Sequence, residues 1–461
     1  MNRPTRFRLL LIALAILLTL AESACSNSIS SNVAASSTNA TSASPSSAGN
    51  IDDSGTTKEG GWIGAWGAAP YGPYPLGPFS VVPGANNIGL PVPTLFLNNE
   101  ANEQSFRMIV HPTIGGDIVR VRLSNLMGTQ PVVINPIHLG KANPPSLAVI
   151  PGSDAALSFG GKATVTIPAG EEAVSDALPF GVVFGDDLAI SFHVVGTSGP
   201  ITWHAISFGV NGITAPMVGD TTSDPSGAAF TQTTDGWFFI SGLDIHQNNP
   251  LGSIVAIGSS STDGAYSLPS TNTRWPDLFA KRLQAQSIAM GVLNEGIVSN
   301  TVTPVLSGFA GPPAVERFQR DVLDRPGVRS VVIFEGTNDL AQNVTADVLY
   351  AAVHSLVNRA HAAGLCVVVA TNSPRSDKDW NVATMEPERE KLNTMLRADT
   401  DFEGLADFDK VMASPVDTTK PFPPYYFADQ LHPNSVGMNV LANAVPLEAL
   451  VPQPLGTCQR Q

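Results

Sequence analysis

From residue 253 onward, apolar runs alternate with amphipathic stretches. The runs SIVAIGS, IAMGVLNEGI, SVVIFEG, LCVVVAT and LADFD are mostly apolar, as expected of strands covered on both faces. Between them lie RWPDLFAKRLQ, AVERFQRDVL, ADVLYAAVHSLVNRAHAAG and EREKLNTMLRA. In the first of these, Trp275, Leu278, Phe279 and Arg282 fall at helix-face spacing. Strand, helix, strand, repeated, predicts an α/β domain over 252–452 with a doubly wound, five-stranded parallel sheet. A last helix, about Ser435 to Leu450, closes it.

The first half has a different period. Over 60–247, short alternating runs such as FRMIVHPTI, DIVRVRLSNL, KATVTIPAG and DLAISFHVV are separated by Gly, Pro and Asp turns, which predicts an N-terminal β-sandwich. In IVRVRL, Val119, Val121 and Leu123 point one way and Arg120 and Arg122 the other, as in a sheet with one wet face. Trp62, Trp66, Tyr71 and Tyr74 near the start of this region read as core and interface aromatics rather than a sugar-stacking platform.

Residues 1–25 combine Arg3, Arg6 and Arg8 with an apolar run from Leu9 to Ala21, the pattern of a secretory signal. The run is too short to be read as a membrane span. An exported, secreted or periplasmic protein is expected. Cys25 after Ser23 and Ala24 is similar to a bacterial lipoprotein cleavage site, but Glu22 stands where that pattern wants an aliphatic residue. A lipid anchor at Cys25 and simple cleavage near Ser23 or Ala24 both stay open. Residues 26–59 are rich in Ser, Ala, Asn and Thr and cannot bury enough apolar surface to offset chain entropy, so they read as a tether.

Composition narrows the function. Only 14 % of residues are charged and the formal net charge is −14, which argues against a nucleic-acid partner held by a basic face. Three cysteines, Cys25, Cys366 and Cys458, exclude a disulfide framework, and Cys366 inside GLCVVVA reads as a buried small hydrophobe. His354 and His361 are seven apart on one helix with no third ligand in range. They read as solvated or half-buried, and neither metal nor cofactor is expected.

The chemistry concentrates at strand ends, where open parallel sheets bind ligands. Ser259 to Gly264 follows the first parallel strand, Asn294 to Thr301 ends the second, Glu335 to Asp339 ends the third, and Ala428 to Asn434 leads into the last helix. In this order the clusters resemble four motifs of the SGNH or GDSL hydrolases, a family of esterases and lipases with a flavodoxin-like sheet. Gly258-Ser259-Ser260-Ser261-Thr262-Asp263-Gly264 stands for Gly-Asp-Ser-x-x-x-Gly, and NEGIVS stands for Asn-x-x-x-x-Gly, with Ser299 in the glycine position. Gly336, Asn338 and Asp339 match Gly-x-Asn-Asp, and Asp429, His432 and Pro433 match Asp-x-x-His-Pro.

The resemblance implies Ser260 as nucleophile, His432 as its base and Asp429 as the group that orients the imidazole. It implies an oxyanion hole from the backbone N–H groups of Ser260 and Ser299 and the side-chain amide of Asn338. Asp339 is expected to be structural, bonding the loop that presents Asn338. Two positions depart from the pattern. Ser259 lacks the motif carboxylate, though its hydroxyl can still bond a neighbouring amide, and Ser299 carries a Cβ that a glycine-only conformation would resist. The expected activity is that of an exported serine esterase acting on small-molecule or polysaccharide esters, with O-acetyl groups on carbohydrate favoured. A lipolytic esterase or an acyltransferase would use the same residues, and a catalytically silent carbohydrate-binding protein is the rival from another class.

Overall fold

Alternation in the first half becomes antiparallel sheet because every second side chain reaches a shared interior. In the computed structural model, which describes residues 61–76, 96–451 and 458, the strands that matter here are β1 (Trp62–Gly67), β2 (Glu100–Val110), β3 (Gly116–Ser124), β4 (Val132–Ala142), β5 (Asp187–Pro200), β6 (Thr202–His204) and β7 (Ile240–His246). β1, β7 and β3 lie side by side in one sheet, and β2, β5 and β4 in a second. Val119, Val121, Leu123, Leu243 and Ile245 from the first sheet and Phe106, Met108, Ile190 and Phe192 from the second are fully buried in one core. Phe106 and Phe192, paired in register, stack with ring centroids 5.1 Å apart. The N-terminal region is the β-sandwich that the alternation predicts.

Its polar face is not wet. Arg120 Nε donates to Asp244 Oδ2 at 2.8 Å, Arg122 Nη2 lies 3.6 Å from the same oxygen, and the Arg120 guanidinium covers the Trp62 ring. Alternation reports polarity and not solvation, and a buried carboxylate on the neighbouring strand satisfies both cations. Burial pushes the Asp244 carboxyl up against the pull of the two arginines.

In the second half the elements are β8 (Ser253–Gly258), α1 (Ser260–Asp263), α2 (Trp275–Ala285), β9 (Gly291–Gly296), α3 (Ala314–Phe318), β10 (Val328–Phe334), α4 (Thr337–Ala341), α5 (Ala346–Ala362), β11 (Cys366–Ala370), α6 (Met385–Ala398), β12 (Gly404–Ala406), α7 (Phe408–Met412) and α8 (Ser435–Ala444). Among the described residues the sheet has five strands, all parallel, in the order β9-β8-β10-β11-β12. Alternate residues of β8 feed two cores. Val255 and Ile257 join Phe318, Leu349 and Leu392 on one face, and Ile254 and Ala256 join Phe279, Met438 and Leu441 on the other. The doubly wound order puts the crevice beyond the carboxyl ends of β8 and β10.

Three local expectations are corrected. The last helix stops at Ala444 rather than Leu450, because Pro446 disfavours helical backbone in the residue before it. LADFD is strand only to Ala406, since the Asp407 side chain accepts from Lys410 N and caps α7. Cys366 is buried as expected but is not a free thiol: it is disulfide-bonded to Cys458, 92 residues on. Two lone cysteines that far apart carry no spacing signal for such a bond.

The sandwich and the parallel sheet meet at β1 and β9. A Cβ on Gly291 would lie 2.0 Å from Gly64 O, so this crossing needs glycine. Thr113 Oγ1 bonds both Val292 N (2.8 Å) and Val292 O (2.9 Å), satisfying backbone groups that an edge strand leaves unpaired. The signal at 1–25 with Cys25 and the tether at 26–59 lie outside the described residues. Among the described residues no helix is long and apolar enough to cross a membrane.

Candidate active site

β8 delivers Ser260 to the sheet edge through a turn built without bulk. A Cβ on Gly258 would meet Thr262 Oγ1 at 2.0 Å, and one on Gly296 would meet Asp263 N at 2.2 Å. Thr262 N and Asp263 N both bond Ser259 O, and Gly264 closes the helical turn at φ 110°. Ser260 is 6 % exposed. Its Oγ lies 2.9 Å from His432 Nε2, and His432 Nδ1 lies 2.6 Å from Asp429 Oδ2. The tautomer that satisfies both contacts has Nδ1–H donating to Asp429 and Nε2 accepting from the Ser260 hydroxyl.

The loop that presents His432 folds on itself. Asp429 Oδ1 accepts from the backbone N–H groups of Leu431 and His432 at 3.1 Å each, Phe427 N bonds His432 O, and the Asn434 side chain caps α8. Burial works against ionising Asp429, but the bonds from His432 and the two backbone donors outweigh it and hold the carboxyl below its usual range. Tyr266 was not visible as a site residue in the sequence. Its ring stacks on Phe427 at 4.6 Å and lies 5.2 Å from His432. Burial, and after it the Asp429 charge, hold the Tyr266 hydroxyl far above the usual phenol range.

The expected oxyanion donors also gather at this edge. Among the described residues no acceptor takes the backbone N–H of Ser260 or of Ser299. Ser299 has φ 63°, so it does adopt the left-handed conformation that glycine would hold without cost. The Asn338 amide donates to Asn300 O at 2.8 Å, which places it beside Ser299. Asp339 is structural, but it braces the segment after Ser299 rather than the loop that presents Asn338: its carboxylate accepts from Val302 N and from the N–H and hydroxyl of Thr303.

Residues 256–440 match the model of the GDSL-like Lipase/Acylhydrolase family. This part of the chain is a GDSL-like lipase/acylhydrolase domain. Solved structures similar to it include a provisionally assigned acylhydrolase from Bacteroides fragilis, with 25 % identity, 42 % of this chain and 83 % of that one covered, and a TM-score of 0.33. A GDSL-like lipase from Bacteroides thetaiotaomicron has 19 % identity, coverages of 43 % and 89 %, and a TM-score of 0.33. An acetylxylan esterase from Geobacillus stearothermophilus has 20 % identity, coverages of 42 % and 91 %, and a TM-score of 0.31. No curated protein matches the chain.

The GDSL-like domain departs from its motif at Ser259, and the structure corrects the expectation for that hydroxyl. It lies beside the Glu335 carboxyl rather than an amide. Glu335 is 3 % exposed, its Oε1 is 3.5 Å from Arg317 Nη2, and neither of its oxygens meets hydrogen-bond geometry. Burial pushes it up to about 8 against the pull of Arg317. Glu335 opens the EGTND cluster, yet only the residues after it belong to the motif, so its role was not legible.

The remaining candidates do not touch the Ser260, His432 and Asp429 side chains. Trp66, Tyr71 and Tyr74 are buried in the sandwich core, and Trp62 lies under the Arg120 guanidinium and meets His246 edge-on. His354 and His361 are half-buried and pair with Asp399 and Glu403. The two histidines do not share a ligand cluster: ligand atoms of His354, Asp399 and Asp401 lie within 4.8 Å of one another, without His361. Folding brings these carboxylates from the α6–β12 connection, Asp399 lying 45 residues from His354 in sequence.

Proposed function

We propose that the chain is an exported serine esterase that cleaves carboxylic esters through an acyl-enzyme on Ser260. The observation that carries this reading is the hydrogen-bonded series Asp429, His432, Ser260, with contacts of 2.6 and 2.9 Å, at the carboxyl edge of a parallel sheet. A serine hydroxyl is a weak nucleophile at neutral pH and needs a base within such reach. As Ser260 Oγ attacks the ester carbonyl carbon, its proton passes to His432 Nε2, and Asp429 stabilises the imidazolium. The oxyanion is met by the N–H groups of Ser260 and Ser299 and by the Asn338 amide. His432 then gives its proton to the departing alkoxide, and a water activated by the same nitrogen releases the acid.

Export is supported by the N-terminal pattern of residues 1–25 and by the Cys366–Cys458 disulfide, since such bonds persist in oxidising compartments. Export and the presence of an N-terminal β-sandwich favour O-acetyl groups of a polysaccharide as substrate. Hydrolysis of p-nitrophenyl acetate by the full chain, beside Ser260→Ala, tests the reaction. Turnover retained in Ser260→Ala would remove the serine mechanism. No turnover in either protein would favour the silent binding module. Release of acetate from an acetylated xylo-oligosaccharide, against transfer to an added sugar, separates hydrolase from acyltransferase.

A further inference from the structure

Ser299 is an L-residue in the left-handed region, a strained conformation that persists only where the surroundings fix it. Both of its neighbours are fixed. Asn300 is fully buried. Its side chain donates to Ala310 O (2.7 Å) and Pro312 O (2.9 Å) and accepts from Arg317 Nε (2.9 Å), while its carbonyl accepts from Asn338. These partners all belong to the GDSL-like domain.

Val298, on the other side, is held from the sandwich. Its carbonyl accepts a hydrogen bond from the Tyr71 hydroxyl, and its N–H donates to Asp263 Oδ2 at 2.9 Å. Asp263 Oδ1 in turn lies 3.2 Å from His204 Nε2, and His204 Nδ1 lies 2.8 Å from Ala69 O. A carbonyl on one ring nitrogen and a carboxylate on the other both call for donors, an arrangement that favours the imidazolium. Burial alone would discharge it, but Asp263 more than offsets that and the His204 pKa is raised. Tyr71 is fully buried and His204 is 2 % exposed. The sandwich core in which Tyr71 lies extends into Ala265, Ile297 and Val298.

We propose that Tyr71 and His204, both outside the stretch that matches the family, are positioning residues for the reaction: acting through Val298 and Asp263, they hold the peptide that aims the Ser299 N–H at the oxyanion. Asp263 ends the helical turn that begins with Ser260, so the same carboxylate ties the nucleophile's turn to the oxyanion turn. The sandwich is then part of the active-site scaffold and not an appended module. This inference rests on the reading of Ser299 as an oxyanion donor.

The test uses the full chain with Tyr71→Phe, which removes one oxygen and keeps the ring, and His204→Gln, each also made in a Ser299→Gly background. On p-nitrophenyl acetate each single variant is expected to lose about tenfold or more in kcat with KM within about twofold, as misplacement of a transition-state group does. Glycine holds the left-handed conformation unaided, so in the Ser299→Gly background the loss shrinks to less than about threefold. A fall in Tm with kcat unchanged, or an equal loss in both backgrounds, overturns the proposal. Ser260→Ala is run beside them. If it keeps activity, the serine-esterase reading fails and takes the proposal with it, whereas an inactive Ser260→Ala with a fully active Tyr71→Phe sinks the positioning role alone.

Discussion

The two turns that meet above β8 and β9 are built in opposite ways. The nucleophile turn, Ser259 to Gly264, is closed mainly by its own backbone: Thr262 N and Asp263 N return to Ser259 O, and Gly264 N and Ala265 N to Ser260 O. The turn from Ile297 to Thr301 is held from afar. Tyr71 lies 227 residues from Val298, Asn338 is 38 residues from Asn300, and Asp339 reaches Val302 across 37. A local turn is specified by the residues in it, whereas a turn held by distant side chains can tolerate an unfavourable residue, here serine at φ 63°.

The largest effects test the local turn. Ser260→Ala and His432→Ala are each expected to lower kcat by about 10⁵- to 10⁶-fold, while Ser261→Ala keeps most of the activity. A fluorophosphonate should label Ser260 alone. Label on Ser259 or Ser261 would show that the neighbouring serines are interchangeable and that the turn does not select one hydroxyl.

Asn338→Ala probes the distant support. It removes a side-chain donor to the oxyanion and also the bond to Asn300 O, so kcat should fall by about 10²- to 10³-fold with little change in KM. A KM effect with kcat intact would mean that Asn338 binds substrate and does not stabilise charge.

What was legible in the sequence follows the same division. Buried parallel strands and amphipathic helices announce themselves by period, so the five-stranded sheet and most of its helices are visible in the pattern. Ser260, Asp429 and His432 stand in short motifs whose spacing is fixed by one turn each. Tyr71, His204 and Tyr266 lie in no motif, because what makes them neighbours of the site is the docking of the sandwich and the folding of the His432 loop. Arg120 and Arg122 read as wet for a related reason: their partner Asp244 sits on a strand more than a hundred residues away. The Cys366–Cys458 bond is the extreme case, two cysteines with nothing in sequence to join them.

That disulfide lies away from both turns, since Cys366 opens β11 and the site is at the strands' carboxyl ends. Cys458→Ser should therefore cost about 2 to 5 kcal/mol of stability and leave kcat within about twofold. Urea melts with and without reductant measure the first part. A large loss of kcat at a temperature where the variant is still folded would show that the far end of the sheet is coupled to the site.

The smallest effect concerns a distant carboxyl beside the nucleophile turn, that of Glu335 next to Ser259. Its folded pKa, about 8, lies above the ordinary 4.5 because the carboxyl is buried, so between those values the native state holds a proton that the unfolded chain releases. The stability this group contributes is full below about pH 4.5 and is lost as pH rises towards 8. Glu335→Gln is neutral throughout and cannot take part in that loss, while Arg317 keeps Asp321 as a partner at 3.2 Å. The variant should lose less stability than wild type between pH 5 and 8, read from urea midpoints across that range. Part of the slope should persist, since burial also raises Glu295 to about 8. Because the turn closes through its own backbone, kcat should stay within about threefold. Parallel pH curves for the two proteins would mean that Glu335 is ionised in the fold. A collapse of kcat would mean that the nucleophile turn depends on a distant carboxyl after all, and the contrast between the two turns would not hold.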